Sequence, residues 1–209
     1  MTAAARRMAT PPKTGRIRAG ANRLRIIGGA WRSRVLRFPD AEGLRPTPDR
    51  VRETLFNWLG QHLAGLACVD LFAGSGALGF EARSRGAAHV TLVERDRKVA
   101  AQLRLSAAVL GDEGIDVVNE DAMSWLRREP GPFDVAFIDP PYDSGLAGPA
   151  MRALEPCLRR GARVYVEASD LPEAPSPRWV RLRRGGAGAV RFALFEFDGP
   201  ATLAASEGP

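Results

Sequence analysis

Between Leu66 and Glu167 the chain alternates two kinds of hydrophobic pattern. Compact apolar runs lead up to Phe72, Val93, Val118, Ile138 and Glu167; between them apolar residues recur at helical spacing over 77–85, 96–110, a short stretch from Ala122, and 146–159. The runs read as buried strands and the periodic segments as helices. Strand–helix repetition of this kind predicts a parallel sheet with helices on both faces and right-handed crossovers. The pattern then changes. Trp179–Leu182 and Val190–Phe197 are separated only by arginines and Gly185–Ala189, a gap too short for a helical crossover, so they predict an antiparallel hairpin at a sheet edge.

Ahead of this alternation, Leu24–Gly29 and Arg34–Phe38 interleave apolar residues with arginines across Ala30–Ser33, as a half-buried hairpin with one cationic face does. Arg25, Arg32, Arg34 and Arg37 offer phosphate contacts and Trp31 a stacking surface, although arginines also simply solvate an outer face. Pro39 to Pro46 reads as a turn-rich connection. Thr47-Pro48-Asp49 predicts a helix start, with Thr47 as N-cap, proline at the first helical position and an acid in the first turn. Val51, Leu55, Trp58, Leu59 and Leu63 form its expected buried stripe, leaving Arg50, Glu53 and Asn57 as surface.

Two motifs fall where strands end. After Leu66-Ala67-Cys68-Val69 comes Asp70-Leu71-Phe72-Ala73-Gly74-Ser75-Gly76-Ala77-Leu78-Gly79, in which Gly74, Gly76 and Gly79 fit G-x-G-x-x-G between a strand and a helix. Such a loop lets backbone approach a ligand and turns a helix N-terminus toward its negative end. The next strand ends in Glu94, about 20 residues on, where an acid takes the ribose hydroxyls of a nucleotide-like cofactor. The second motif, Asp139-Pro140-Pro141-Tyr142, follows the strand Phe133–Ile138. Ligands of open α/β sheets bind at that end, and an acid, two rigid prolines and an aromatic ring together hold a planar base and orient an amino group on it. A Pro-rich turn alone explains the second motif less well once the glycine loop stands beside it.

Composition narrows the classes. Hydrophobic residues make up 45% and charged residues 26% of the 209, ordinary for a soluble globular protein with one core. No apolar run approaches the roughly 20 residues of a membrane span, and Met1 to Asn22 lacks an apolar signal region, reading as a disordered basic arm rather than a transit peptide. Cytoplasm is the expected location. Cys68 and Cys157, with only His62 and His89 besides, predict neither a disulfide framework nor a metal site. Residues 1–50 hold 12 Lys and Arg against 3 Asp and Glu, so the remainder carries −3 of the net +6. A basic N-terminal segment on a near-neutral body is the footprint of a phosphate-backbone binder. Arginine in place of lysine reflects compositional bias, which does not explain the asymmetry.

With these stretches in view, the chain resembles the class I S-adenosylmethionine-dependent methyltransferases. More narrowly, Arg25–Gly29, Gly43–Thr47 and Asp49–Trp58, together with the two motifs, resemble the bacterial 16S ribosomal RNA guanine-N2 methyltransferases of the small subunit, over about Arg23 to Phe197. The resemblance implies a Rossmann-like, seven-stranded, mostly parallel sheet with an antiparallel last strand and an N-terminal β-hairpin extension. It divides the chain into an arm (1–22), the hairpin extension (23–46), the methyltransferase domain (47–198) and a tail (199–209). It implies S-adenosyl-L-methionine as cofactor, with Asp70, Phe72, Gly74 and Gly76 at its amino-acid end, Glu94 on the ribose and Asp121 with Ala122 at the adenine; Asp121 also reads as a helix N-cap. Ser106 stands where relatives are expected to carry Asn. Asp139, Pro140, Pro141 and Tyr142 become the catalytic set, the assembled small subunit and its 16S rRNA the partner, and a monomer the expected state. Three other classes compete: a DNA adenine-N6 or cytosine-N4 methyltransferase, a dinucleotide oxidoreductase sharing the glycine loop, and a non-catalytic RNA-binding module.

Overall fold

The structure is a computed structural model that describes residues 23–38, 47–142 and 144–199. The expected basic arm, the Pro39–Pro46 connection with the Gly43–Pro46 part of its motif, and the tail from Pro200 lie outside the described residues.

A two-stranded sheet comes first, β1 (Arg23–Arg25) against β2 (Val35–Arg37). Then follow α1 (Asp49–Leu59), β3 (Ala67–Asp70), α2 (Ala77–Ser84), β4 (His89–Val93), α3 (Arg97–Leu110), β5 (Ile115–Val118), α4 (Ala122–Leu126), β6 (Phe133–Ile138) and α5 (Ala147–Leu154). The chain ends on β7 (Leu158–Ala168), β8 (Trp179–Ala187) and β9 (Val190–Phe197). The main sheet has the order β5-β4-β3-β6-β7-β9-β8, parallel except for β9, which runs against both neighbours. The sequence therefore predicts the architecture correctly. From central β3 the chain builds β4 and β5 on one side and returns to place β6 and β7 on the other. The switch point is the crevice beyond the carboxyl ends of β3 and β6, where open sheets of this kind bind ligands.

Each sheet face carries its own apolar layer. Leu55, Phe56, Phe80, Leu92, Phe137 and Tyr165 pack on the face covered by α1, α2 and α3. Val69, Trp125, Ile138, Met151, Val166 and Phe195 fill the side covered by α4 and α5. The small hairpin joins the first layer: Leu24, Ile26, Leu36 and Phe38 are buried in it, with Arg23, Arg25 and Arg37 outward.

Local expectations differ at four places. Trp31 is only 9% exposed and belongs to this core, because the hairpin turn folds onto the end of α2, with Ala30 N–H on the Ser84 carbonyl at 2.7 Å and Trp31 N–H on Ser84 Oγ at 2.9 Å. The expected stacking surface is therefore corrected: the ring packs inward. On α1, Arg52 and Phe56 take the buried stripe with Val51 and Leu55, and Trp58 is only partly buried. The helix expected through Arg159 ends at Leu154, followed by a 3₁₀ turn over Glu155–Cys157, because Pro156 has no N–H to continue it. Gly185 and Gly186 continue β8 instead of ending it, and the turn is Gly188-Ala189. A Cβ on Gly185 would come within 2.6 Å of Phe192 and 3.1 Å of Trp58, so glycine here serves close packing.

Candidate active site

Four carboxylates stand at or just beyond the carboxyl ends of adjacent strands: Glu94 after β4, Asp70 on β3, Asp139 after β6 and Glu167 on β7. Asp70 and Glu167 are buried. None of the four forms an ion pair with Arg or Lys among the described residues. Burial above all, opposed by the Gly79 and Phe72 N–H groups and reinforced by Glu94, pushes the Asp70 carboxyl up to about 7. Asp139 is likewise held well above the usual carboxylate range, by burial and then by Glu167 and Asp70. Glu167 is raised by burial, and its Oε2 accepts from the Tyr165 hydroxyl at 2.7 Å. Uncompensated buried anions are costly unless something positive completes them. The set fits a ligand with cationic groups, as the sulfonium and ammonium of S-adenosylmethionine are.

The glycine loop is built for close approach. Gly74 and Gly76 have φ of +50° and +78°, a region L side chains avoid, and a Cβ on Gly76 would lie 2.4 Å from Phe80. Gly79 lets α2 settle on β4, since its Cβ would meet Leu92 at 2.1 Å, and its N–H donates to Asp70 at 3.1 Å. Glu94 ties the loop to β4 by accepting from Gly74 N–H at 2.9 Å, and it accepts from Asp96 N–H at 2.7 Å. Asn119 closes the next gap, donating to the Glu94 and Arg95 carbonyls at 2.9 and 3.0 Å. Asp121 caps α4 by accepting from Ser124 N–H at 2.9 Å, and Ala122 is buried behind it. Phe72 is partly buried along the loop.

Sequence reading missed two contributors. Thr47 does not cap α1, whose N-cap is Pro48 without a side-chain bond; its hydroxyl instead donates to Asp139 Oδ2 at 3.4 Å. Glu167 follows from register, because Ile138 pairs with Val166, so the next residues, Asp139 and Glu167, are neighbours across parallel strands. An acid closing the apolar run Val164-Tyr165-Val166 was the available signal. Beyond Asp139, Pro140 is partly exposed, Pro141 exposed, and Tyr142 61% exposed, leaving its ring free to stack on an incoming base.

The expected RNA arginines are spread along the small hairpin. Arg37 pairs with Arg23 at the open end of the small hairpin, and Arg25 pairs with Val35 at the last step before the turn, its guanidinium on Asp49 at 3.0 Å. Arg32 lies at its turn, beside the last residues of α2 and so at the opposite end of that helix from the glycine loop, and Arg34 closes the turn, its carbonyl accepting from Ile26 N–H. Behind the hairpin, Glu81 accepts from Ile27 N–H at 2.9 Å, Arg52 Nη1 at 3.3 Å and Arg85 Nε at 2.9 Å, all in the interior. Among the described residues no group of three or more His, Cys, Asp and Glu is arranged to hold a metal, and Cys68 and Cys157 are buried free thiols.

A doubly wound sheet with reversed β9, a glycine loop after β3 and an acid-Pro-Pro-Tyr after β6 define a class I S-adenosylmethionine-dependent methyltransferase. Residues 24–196 match the family described as Conserved hypothetical protein 95, and the chain belongs to it. It is 46% identical over 183 residues to the ribosomal RNA small subunit methyltransferase D of Escherichia coli K12, covering 85% of this chain and 92% of that one. The protein of the same name from Haemophilus influenzae is 42% identical over 180 residues, 83% and 93% of the two chains. A solved structure from Escherichia coli, 44% identical, superposes over 84% of this chain and 98% of its own with a TM-score of 0.78.

Proposed function

We propose that this protein transfers a methyl group from S-adenosylmethionine to the exocyclic N2 amino group of a guanine in 16S ribosomal RNA, acting as a cytoplasmic monomer on the assembled small subunit. Its relatives' names support the RNA class; the observation that carries the guanine reading is the pair Asp139 and Glu167 on neighbouring strand ends. Beside its amino group guanine presents a second donor, N1–H. Adenine and cytosine present a ring-nitrogen acceptor there, which a carboxylate repels. Two adjacent acceptors therefore suit guanine and disfavour a DNA adenine or cytosine methyltransferase.

S-adenosylmethionine supplies a methyl group on a sulfonium with a neutral leaving group, so what the chain must supply is positioning. The amino lone pair of guanine is delocalised into the ring. Asp139 and the Pro140 carbonyl accept its two hydrogens and turn the lone pair outward, Tyr142 stacks on the base, Pro141 stiffens the turn, and Glu167 accepts from N1–H. The base leaves its RNA stack to enter, as for other enzymes that work on bases. Asp139 is also an anion set where positive charge develops on nitrogen, and it can take the proton that nitrogen sheds. Asp70, Phe72, Gly74 and Gly76 are assigned to the amino-acid end of the cofactor, Glu94 to the ribose, Asp121 and Ala122 to the adenine. Arg25, Arg32, Arg34 and Arg37 remain proposed contacts to a large RNA surface.

Labelled methyl transfer to small subunits from cells lacking the endogenous enzyme, followed by nucleoside analysis, tests the reading. N2-methylguanosine is the expected product; label on DNA adenine or cytosine instead would overturn it.

Glu167 gives a pH prediction. Asp139 acts as an acceptor only when ionised, so activity rises as pH climbs through its raised pKa. In Glu167→Gln the neighbouring negative charge is gone, Asp139 ionises at lower pH, and the acidic limb of kcat/KM shifts downward. A pH–rate profile of the two proteins checks this; an unmoved limb would uncouple the carboxyls.

A further inference from the structure

The hairpin β8–β9 carries a charge that the catalytic reading leaves unused. From Glu173 to Glu196 the chain contains no acid between its ends, but it contains Arg178, Arg181, Arg183, Arg184 and Arg191. Arg178 pairs with Glu155. The other four are exposed and form no ion pair among the described residues.

Register places this charge. Arg191 pairs with Ala168, the last residue of β7, on one side and with Gly186 on the other. Ala187–Val190 therefore project beyond the carboxyl end of β7, the end that carries Glu167 and adjoins Asp139. Arg181 pairs with Phe195, Arg184 with Ala193 and Gly186 with Arg191, so strand alternation sets Arg181, Arg184 and Arg191 on one face. The irregularity between Arg181 and Arg183 turns Arg183 to the other. At the tip, Gly185, Gly186, Ala187, Gly188 and Ala189 hold nothing larger than a methyl group, and β8 is the sheet's outermost strand, with one side unpaired among the described residues.

Charged side chains also keep an edge strand from pairing with other proteins. Either sign serves that purpose, whereas this segment uses one sign only, on the edge that flanks the catalytic face. We propose that the β8–β9 hairpin is a contact surface for the RNA sugar-phosphate backbone, with Arg181, Arg184 and Arg191 neutralising phosphates while the small-residue tip lets the strand lie close. It flanks Asp139 on the side away from the β1–β2 hairpin, which packs against α2. The inference rests on the RNA-methylation reading and adds where the substrate is gripped.

The test compares the full chain with Arg181→Gln/Arg184→Gln/Arg191→Gln and with the corresponding triple Lys variant, measuring methylation kinetics on small subunits and the salt dependence of RNA binding. The Gln variant is expected to raise KM by about tenfold or more and to lower the log–log salt slope by about two to three, since each lost phosphate contact removes roughly 0.7–0.9. Its kcat and its S-adenosylmethionine affinity stay unchanged, and the Lys variant keeps most of the slope. If the triple Gln variant does not fold, Arg181→Gln and Arg184→Gln singly should each lower the slope by about one. Transfer by the unaltered chain with KM and slope indifferent to these changes would overturn the hairpin assignment alone. Absence of transfer to any RNA by the unaltered chain would overturn the methylation reading and this inference with it.

Discussion

Asp139→Ala is expected to lower turnover by about a thousandfold or more, on the scale of losing a preorganised group that meets developing charge, while S-adenosylmethionine affinity stays within a few-fold. The separation follows from position. Asp139 lies after β6, whereas Asp70 ends β3, the glycine loop follows it and Glu94 follows β4. Asp139 is itself held well above the usual carboxylate range by burial and by Glu167 and Asp70, so its removal relieves like-charge crowding and does not cost the fold. Single-turnover methylation and cofactor titration on the same preparation check the prediction. Lost cofactor affinity with surviving chemistry would move Asp139 into the cofactor site and undo its catalytic role.

The second large effect is on stability. Glu81→Ala should destabilise the protein by about 3–5 kcal/mol, the usual cost of removing one partner from a buried ion pair, and lower Tm by roughly 10 °C for a chain of this size. Glu81 is 0% exposed and faces two cations, Arg52 at 1% and Arg85 at 6% exposure, besides the Ile27 N–H of the small hairpin. Arg52 retains Asp49 at 2.6 Å and the Arg25 carbonyl at 2.8 Å, but its Nε already lacks a partner among the described residues. The variant thus leaves buried positive charge and an orphaned backbone donor together. Arg52→Met added to Glu81→Ala should recover part of the loss, because the two side chains share one interaction. Thermal and denaturant unfolding of both single variants and the double variant measure it; a double-variant loss equal to the sum of the single losses would show that the pair is not coupled.

This network also shows where sequence reasoning stops. The glycine loop and Asp139–Tyr142 were legible because each is a short motif whose neighbours already announce a strand end. Arg52 occupied a stripe position that helical spacing alone assigns to an apolar side chain, and its partner sits 29 residues away on another helix. Only the packed fold brings them together. Trp31 failed for the same reason: among arginines in a turn it looked solvent-facing, and the end of α2 that covers it is more than 50 residues distant in sequence. Thr47 had two uses compatible with its position, and the local one, capping, was the only one visible without knowing that β6 ends beside it. At Gly185, local propensity indicated a turn, but the rings of Phe192 and Trp58 occupy the space of a side chain.

If Asp70 meets the cofactor as proposed, the carboxyl cluster links cofactor binding to proton release. Burial, reinforced by Glu94, pushes the Asp70 carboxyl up to about 7, so its protonated form gains ground as pH falls through that range. A positive ligand beside it favours the ionised form, and that proton must be released on binding. Affinity for the charged methyl donor is therefore expected to grow as pH rises toward 7 and to level off above it, where Asp70 is already ionised. The demethylated product has lost the sulfonium charge and expels fewer protons on binding. Donor and spent product are thus expected to respond differently to pH: mildly acidic conditions narrow the donor's advantage and deepen product inhibition, and the full advantage returns once Asp70 is ionised.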